Sequence, residues 1–232
     1  MKKVAIILAG GSGNRIGGEP KQLLTVNGKR IIEYTIEAFE RCSLIDEICI
    51  VAKEDTIEQL SKIVEVNHYA KVRHIVKGGK ERSDSSMVAL SIYTDADDKL
   101  LIHDAARPLV SQQIIENCIQ ALNNYDAVGT AVPSTDTIWQ TENGIVSAIP
   151  QRATLYNAQT PQCFRRHTIA EAYRLAMLDP QFKATDDCGV VNRYLPLTKI
   201  KIVGGESRNI KITYRQDLQL MQQLLNQQTA QP

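Results

Sequence analysis

A chain of 232 residues, 43% of them apolar, is long enough for one α/β domain with a sizeable core. Its 27 basic and 26 acidic residues leave no basic excess for nucleic acid, and no stretch approaches the roughly 20 apolar residues of a membrane span. Five scattered cysteines without C-x-x-C spacing speak against a disulfide framework or a structural zinc site, so the cytoplasm is the expected compartment.

Taken in chain order, apolar and β-branched runs bounded by turn residues predict strands over 4–9, 48–52, 72–76, 100–103, 127–132 and 200–203. Segments of helical periodicity between them predict helices over 31–41, 56–66, 84–92, 112–123 and 168–177. Strand and helix in alternation imply a parallel sheet covered on both faces. One stretch, 133–162, breaks the alternation. Residues 137–140, the turn Glu142-Asn143-Gly144 and residues 145–149 read as a β-hairpin inserted into the core. It is either an ordinary surface hairpin or a dimerisation arm, since isolated hairpins are marginally stable and usually need a packing partner. The predicted architecture is α/β and Rossmann-like. A mainly parallel twisted sheet with helices on both faces forms a single domain over 1–232, with an inserted β-hairpin arm over 133–162.

In open parallel sheets, ligands bind beyond the carboxyl ends of the strands, and three loops at such ends carry chemistry. The first strand runs through Leu8 and Ala9 into Gly10-Gly11-Ser12-Gly13-Asn14-Arg15, followed by Pro20-Lys21-Gln22. Glycines let backbone amides approach phosphate oxygens, and a guanidinium and an ammonium on one short segment suit a triphosphate. The loop lacks the G-K-[ST] of a P-loop and the spacing of a dinucleotide fingerprint. Taken alone, Lys21 is a solvated lysine before a helix. Next comes Gly78-Gly79-Lys80-Glu81-Arg82-Ser83-Asp84-Ser85, in which Ser83 or Asp84 can cap the following helix and Ser85 can touch a base. Finally, His103-Asp104-Ala105-Ala106-Arg107-Pro108 places an acid at a strand's carboxyl end, where it can hold a magnesium ion bridging phosphates. The plainer reading of this last motif is a salt-bridged turn with a structural histidine.

These ordered segments resemble the successive signatures of the CTP-dependent cytidylyltransferases, a family that includes the enzymes for methylerythritol phosphate and for ribitol 5-phosphate. Arg152, Gln159-Thr160-Pro161-Gln162, Thr185-Asp186-Asp187 and Asn209-Ile210-Lys211-Ile212-Thr213 agree with it, so the likeness covers nearly the whole chain. The resemblance implies transfer of CMP from CTP to a polyol phosphate with release of pyrophosphate. It gives Arg15, Lys21 and Lys211 the catalytic work of stabilising the α-phosphorus. Nucleotide binding falls to Leu8, Ala9, Gly10, Gly11, Gly13, Gly79, Ser85, Asp104 and Ala105, with Asp104 also holding Mg2+. The acceptor's phosphate falls to Arg107, Arg152, Thr160 and Asp186, with Lys211 beside them. The arm would make a homodimer, Arg152 and Thr160 completing the neighbour's site.

Between acceptors, Ile149-Pro150-x-Arg152, Arg82-Ser83-Asp84-Ser85-Ser86 and Asp186-Asp187-Cys188-Gly189-Val190-Val191 look more like the ribitol 5-phosphate enzymes. Ribitol 5-phosphate is therefore the expected acceptor, giving CDP-ribitol, with 2-C-methyl-D-erythritol 4-phosphate as the alternative. The 232 residues leave no room for a reductase domain, so a ribulose-phosphate reductase would be a separate partner or lie beyond these residues. A non-catalytic nucleotide-binding module is the remoter alternative. The presence of Arg15, Lys21, Asp104 and Lys211 together weighs against it.

Overall fold

A computed structural model describes residues 1–11 and 20–229. The chain runs β1 (Lys3–Ala9), a short ribbon of β2 (Thr25–Val26) and β3 (Lys29–Arg30), α1 (Ile31–Glu40), β4 (Glu47–Ala52), α2 (Glu54–Val66), β5 (Val72–Lys77), α3 (Arg82–Ile92) and β6 (Lys99–Asp104). It continues through α4 (Gln112–Ala121), β7 (Ala127–Pro133), β8 (Gln140–Glu142), β9 (Ile145–Ala148), β10 (Tyr156–Arg165), α5 (Arg166–Ala176), α6 (Asp187–Tyr194), β11 (Ile200–Gly204) and α7 (Arg215–Thr229).

Side chains alternate across a strand, and β1 is apolar on both sides. Val4, Ile6 and Leu8 join one core layer, Ala5, Ile7 and Ala9 the other. A strand buried on both faces belongs in the middle of a sheet, and β1 pairs in parallel with both β4 and β6. The full order is β11-β7-β10-β6-β1-β4-β5. Helices α1, α2 and α4 cover one face through Ile32, Ile36, Phe39, Leu60 and Ile115; α3, α5 and α6 cover the other through Leu90, Ile169, Tyr173 and Val191. Helix α7 packs Met221 and Leu218 against Val26, Ile31 and Ile212 in a third, smaller cluster. Among the described residues, no helix is long and apolar enough to cross a membrane. All five cysteines are free thiols.

The six parallel strands match the reading of the sequence to within a residue or so at each end. The segment 133–162 does not. Within that segment only the short β8–β9 ribbon stands apart from the main sheet, and its two-residue turn is Asn143-Gly144, with φ of 50° and 79°. Positive φ at both turn residues is the geometry that Asn-Gly favours. From Tyr156 the chain re-enters the core as β10, antiparallel between β6 and β7. Residues 156–162, expected in the arm, are thus sheet. Pro161 is accommodated because the register with β7 shifts between Ala158 and Gln162, as a proline within a strand requires. Helices α6 and α7 were not anticipated either.

Candidate active site

The carboxyl ends of β1, β4, β5 and β6 open on one cavity of about 390 Å³. Leu8, Ala9, Gly10 and Gly11 line it from the end of β1, Gly79 and Ser85 from the start of α3, and Asp104 and Ala105 from the end of β6. Lys21 and Lys211 complete the set, so ten of the residues expected from the sequence meet here. Gly13 and Arg15 lie outside the described residues. Lys21 is placed by a short helical turn, Lys21–Leu23, that is tied to the strand end: the buried Gln22 donates through Nε2 to Ala9 O at 2.6 Å. The glycine at 79 is a steric requirement. A Cβ there would stand 2.1 Å from Asp84 Cβ, and Asp84 is fixed because its Oδ2 accepts the Glu81 N–H at 2.9 Å. The N-cap of α3 is therefore Glu81, with Asp84 reaching back to it; Ser83 is not the cap.

Asp104 is the electrostatic centre. Its Oδ2 lies 2.7 Å from Lys211 Nζ and 3.8 Å from Arg107 Nε, and its Oδ1 lies 3.4 Å from Arg82 Nε. Burial alone would raise its pKa, but Arg82, Lys211 and Arg107 outweigh burial and hold the carboxyl well below the usual carboxylate range. Among the described lining residues, Lys21, Lys53, Lys80, Arg82 and Lys211 face only Glu81 and Asp104. Such a positive lining attracts a polyanion. Among the described residues, no group of three or more His, Cys, Asp or Glu side chains could hold a metal ion. A lone carboxylate suits magnesium when phosphate oxygens and water supply the rest of the shell.

Behind Asp104 runs a chain of neutral hydrogen bonds. His103 is fully buried against Phe39, and burial pulls its pKa down to about 4. Its Nε2 lies 3.0 Å from Arg107 O, which can only accept, so Nε2 carries the proton and Nδ1 accepts. The Thr160 hydroxyl donates to Nδ1 at 3.0 Å and accepts the Asp104 N–H at 3.1 Å. His103 is thus structural, as the plainer reading had it.

The four expected acceptor ligands do not line the cavity. Thr160 is buried and its hydroxyl is engaged by His103 and Asp104. Arg107 packs behind Asp104, donating to Asn209 O at 2.8 Å and Ala158 O at 3.3 Å. Asp186 caps α6: Oδ1 accepts Gly189 N at 2.7 Å and Oδ2 accepts Gln162 Nε2 at 2.7 Å. Arg152 sits exposed beyond the ribbon and donates to Thr135 O at 3.2 Å. The sequence reading gave no role to Gln22, Lys53, Lys80, Glu81, Arg82 or Ala106, all of which line the cavity. Lys53 directly follows β4, so the rule that ligands gather at carboxyl ends points to it.

This arrangement matches known proteins along almost all of its length. The family model described as IspD, 2-C-methyl-D-erythritol 4-phosphate cytidylyltransferase, matches residues 3–227. The chain belongs to the IspD family. Its members are CTP-dependent cytidylyltransferases. An IspD relative from Thermobifida fusca, 2-C-methyl-D-erythritol 4-phosphate cytidylyltransferase, is 45% identical over 98% of this chain and 94% of its own length. A bifunctional ribulose 5-phosphate reductase/CDP-ribitol pyrophosphorylase from Haemophilus influenzae is 41% identical over 94% of this chain, which spans 47% of that longer protein. The crystal structure of 4-diphosphocytidyl-2C-methyl-D-erythritol synthase from Anaerococcus prevotii superposes with a TM-score of 0.86 at 32% identity, covering 97% of this chain and 96% of that one.

Proposed function

We propose that this cytidylyltransferase transfers CMP from CTP to 2-C-methyl-D-erythritol 4-phosphate. The family match over residues 3–227 carries this reading, and it reverses the preference for ribitol 5-phosphate drawn from the sequence. A phosphate oxygen of the acceptor attacks the α-phosphorus of CTP in line. The bond from that phosphorus to the bridging oxygen of the β-phosphate breaks, and pyrophosphate leaves with its electron pair. The protein contributes placement and positive charge instead of a covalent intermediate. Lys21, with Arg15 of the same loop, binds the triphosphate. Lys211, paired with Asp104 at 2.7 Å in the open cavity, leaves it to meet the phosphates. Gly79 and Ser85 hold the cytosine. Asp104 would hold the Mg2+ that neutralises charge on the phosphates. The acceptor's phosphate falls to Arg152, carried on the arm into the site of a second copy. Replacing Lys21 with Ala lowers turnover by roughly two to three powers of ten, the scale of losing one preorganised donor. Turnover near that of the parent would remove Lys21 from the triphosphate site.

Ribitol 5-phosphate is the second reading, favoured by the Haemophilus influenzae relative at 41% identity. Pyrophosphate release with CTP and each acceptor separates them. A higher kcat/KM with the methylerythritol phosphate is expected; a higher value with ribitol 5-phosphate would reverse the assignment.

A further inference from the structure

Arg82 opens α3 and lines the cavity, and two carboxylates share its guanidinium. Nη1 lies 2.5 Å from Asp187 Oδ2, while Nε lies 3.4 Å from Asp104 Oδ1. Asp187 is completely buried and its position is fixed from several sides. Its Oδ1 accepts the Ser86 hydroxyl at 2.8 Å and the Tyr173 hydroxyl at 2.7 Å, and its backbone N–H donates to Gln162 Oε1 at 2.9 Å. Hydroxyl donors from α3 and α5 and an acceptor from β10 therefore prevent Asp187 from following Arg82 elsewhere. Arg82 Nη2 is buried and has no hydrogen-bond partner among the described residues. A buried guanidinium N–H left unmade is costly, and closing the fork on one carboxylate would satisfy it better. Arg82 is held instead between two anions, tight on the one outside the cavity lining and loose on the one within it.

We propose that Arg82 is a positioning residue for Asp104, and that the buried Asp187 anchors it so that Arg82 orients the Asp104 carboxylate without closing on it. The shorter contact is the stronger, since Coulomb attraction falls with distance. Without the charge of Asp187, the fork closes on Asp104 and competes with Lys211 for it. Without the full fork on Arg82, Asp104 is steered by Lys211 and Arg107 alone. Both changes misplace the phosphate side of the cavity and leave Gly79 and the bound nucleoside in place. The proposal rests on reading the cavity as the CTP site.

The test compares the parent, Asp187→Asn and Arg82→Lys by calorimetric CMP binding in EDTA buffer and by kcat at saturating CTP and acceptor. In both variants kcat is expected to fall roughly tenfold to a hundredfold, the usual cost of losing a group that orients a site, with CMP affinity within about threefold of the parent. A kcat within twofold of the parent overturns the proposal, as does CMP affinity falling in proportion to kcat, which marks a merely structural role. If both variants fail to fold, Tyr173→Phe decides: it removes one donor from Asp187 while every charge stays. A kcat lower than the parent's with CMP binding kept supports the anchor; unchanged kcat overturns it. Failure of the parent itself to bind CMP would remove the CTP site and the proposal together.

Discussion

Asp104 needs a fixed backbone as well as cationic partners, and His103 supplies part of it. The ring accepts from Thr160 and donates to Arg107 O, so a neutral imidazole joins two segments far apart in sequence. A protonated ring would lose its acceptor at Nδ1 and bring a charge into a fully buried place. Its folded value of about 4 lies below the ordinary imidazole value of about 6.5, so the unfolded chain takes up the proton first as pH falls. The stability owed to neutral His103 is complete above about pH 6.5 and is lost as pH falls through that value toward about 4. Between pH 7 and 4.5 the loss is about 2 to 3 kcal/mol. Denaturant unfolding of the parent and of His103→Asn at those two pH values checks this: the variant loses less stability on acidification by about that amount. Equal losses would show that His103 titrates as an ordinary exposed histidine. Asp104 acts in the same direction, but only at still lower pH, because its depressed carboxyl begins to separate from the unfolded value near 4.

Elements that repeat a period were legible in the sequence, and those that bury polar side chains were not. Strand β1 and helix α1 show their periods plainly, because each apolar residue packs into a core layer. Strand β10 reads as a loop: its middle is Gln159-Thr160-Pro161-Gln162, yet all four residues are buried. Each polar group there is satisfied by a partner distant in sequence. Gln159 donates to Glu206 O, Thr160 to His103, and Gln162 to Asp186, while Gln162 Oε1 accepts from Asp187 N and Cys188 N. No local rule supplies those partners. Helix α7 was legible in principle, since Leu218, Met221, Leu224 and Leu225 recur on one face, but four glutamines over 219–227 already dilute the signal. Conversely, the motif Thr185-Asp186-Asp187 is conspicuous for structural reasons. Asp186 caps α6, and replacing it with Ala is expected to cost about 1 kcal/mol through the lost cap. Thermal unfolding shows the cost, while the KM for the acceptor phosphate stays within twofold. A large rise in that KM at unchanged stability would return Asp186 to the acceptor site.

At the scale of the whole molecule, the β8–β9 ribbon is the feature that the single chain does not explain. All seven of its strand residues are exposed, and it pairs with no other sheet among the described residues. A lone two-stranded ribbon is marginal in water and needs a surface to lie on. It and its flanks expose apolar side chains: Trp139 is 62% and Ile145 73% accessible, with Ile138, Val146 and Ile149 nearby in sequence. Arg152 sits just beyond them, away from the cavity of its own chain. A second copy of this chain would meet both needs, covering the ribbon and receiving Arg152 at its site. The expected mass in solution by light scattering is therefore that of a homodimer. Replacing Trp139 and Ile145 together with Ser removes the two most exposed apolar side chains of the arm, and monomers are expected at micromolar concentration. The monomer is expected to retain CMP binding, because Lys21, Gly79, Ser85 and Asp104 already meet around the cavity within a single copy. Transfer to the acceptor falls as dimer is lost, because Arg152 no longer reaches a neighbouring site. A parent that runs as a monomer with full transferase activity would instead make the arm an ordinary surface ribbon, and Arg152 would have to act within its own chain.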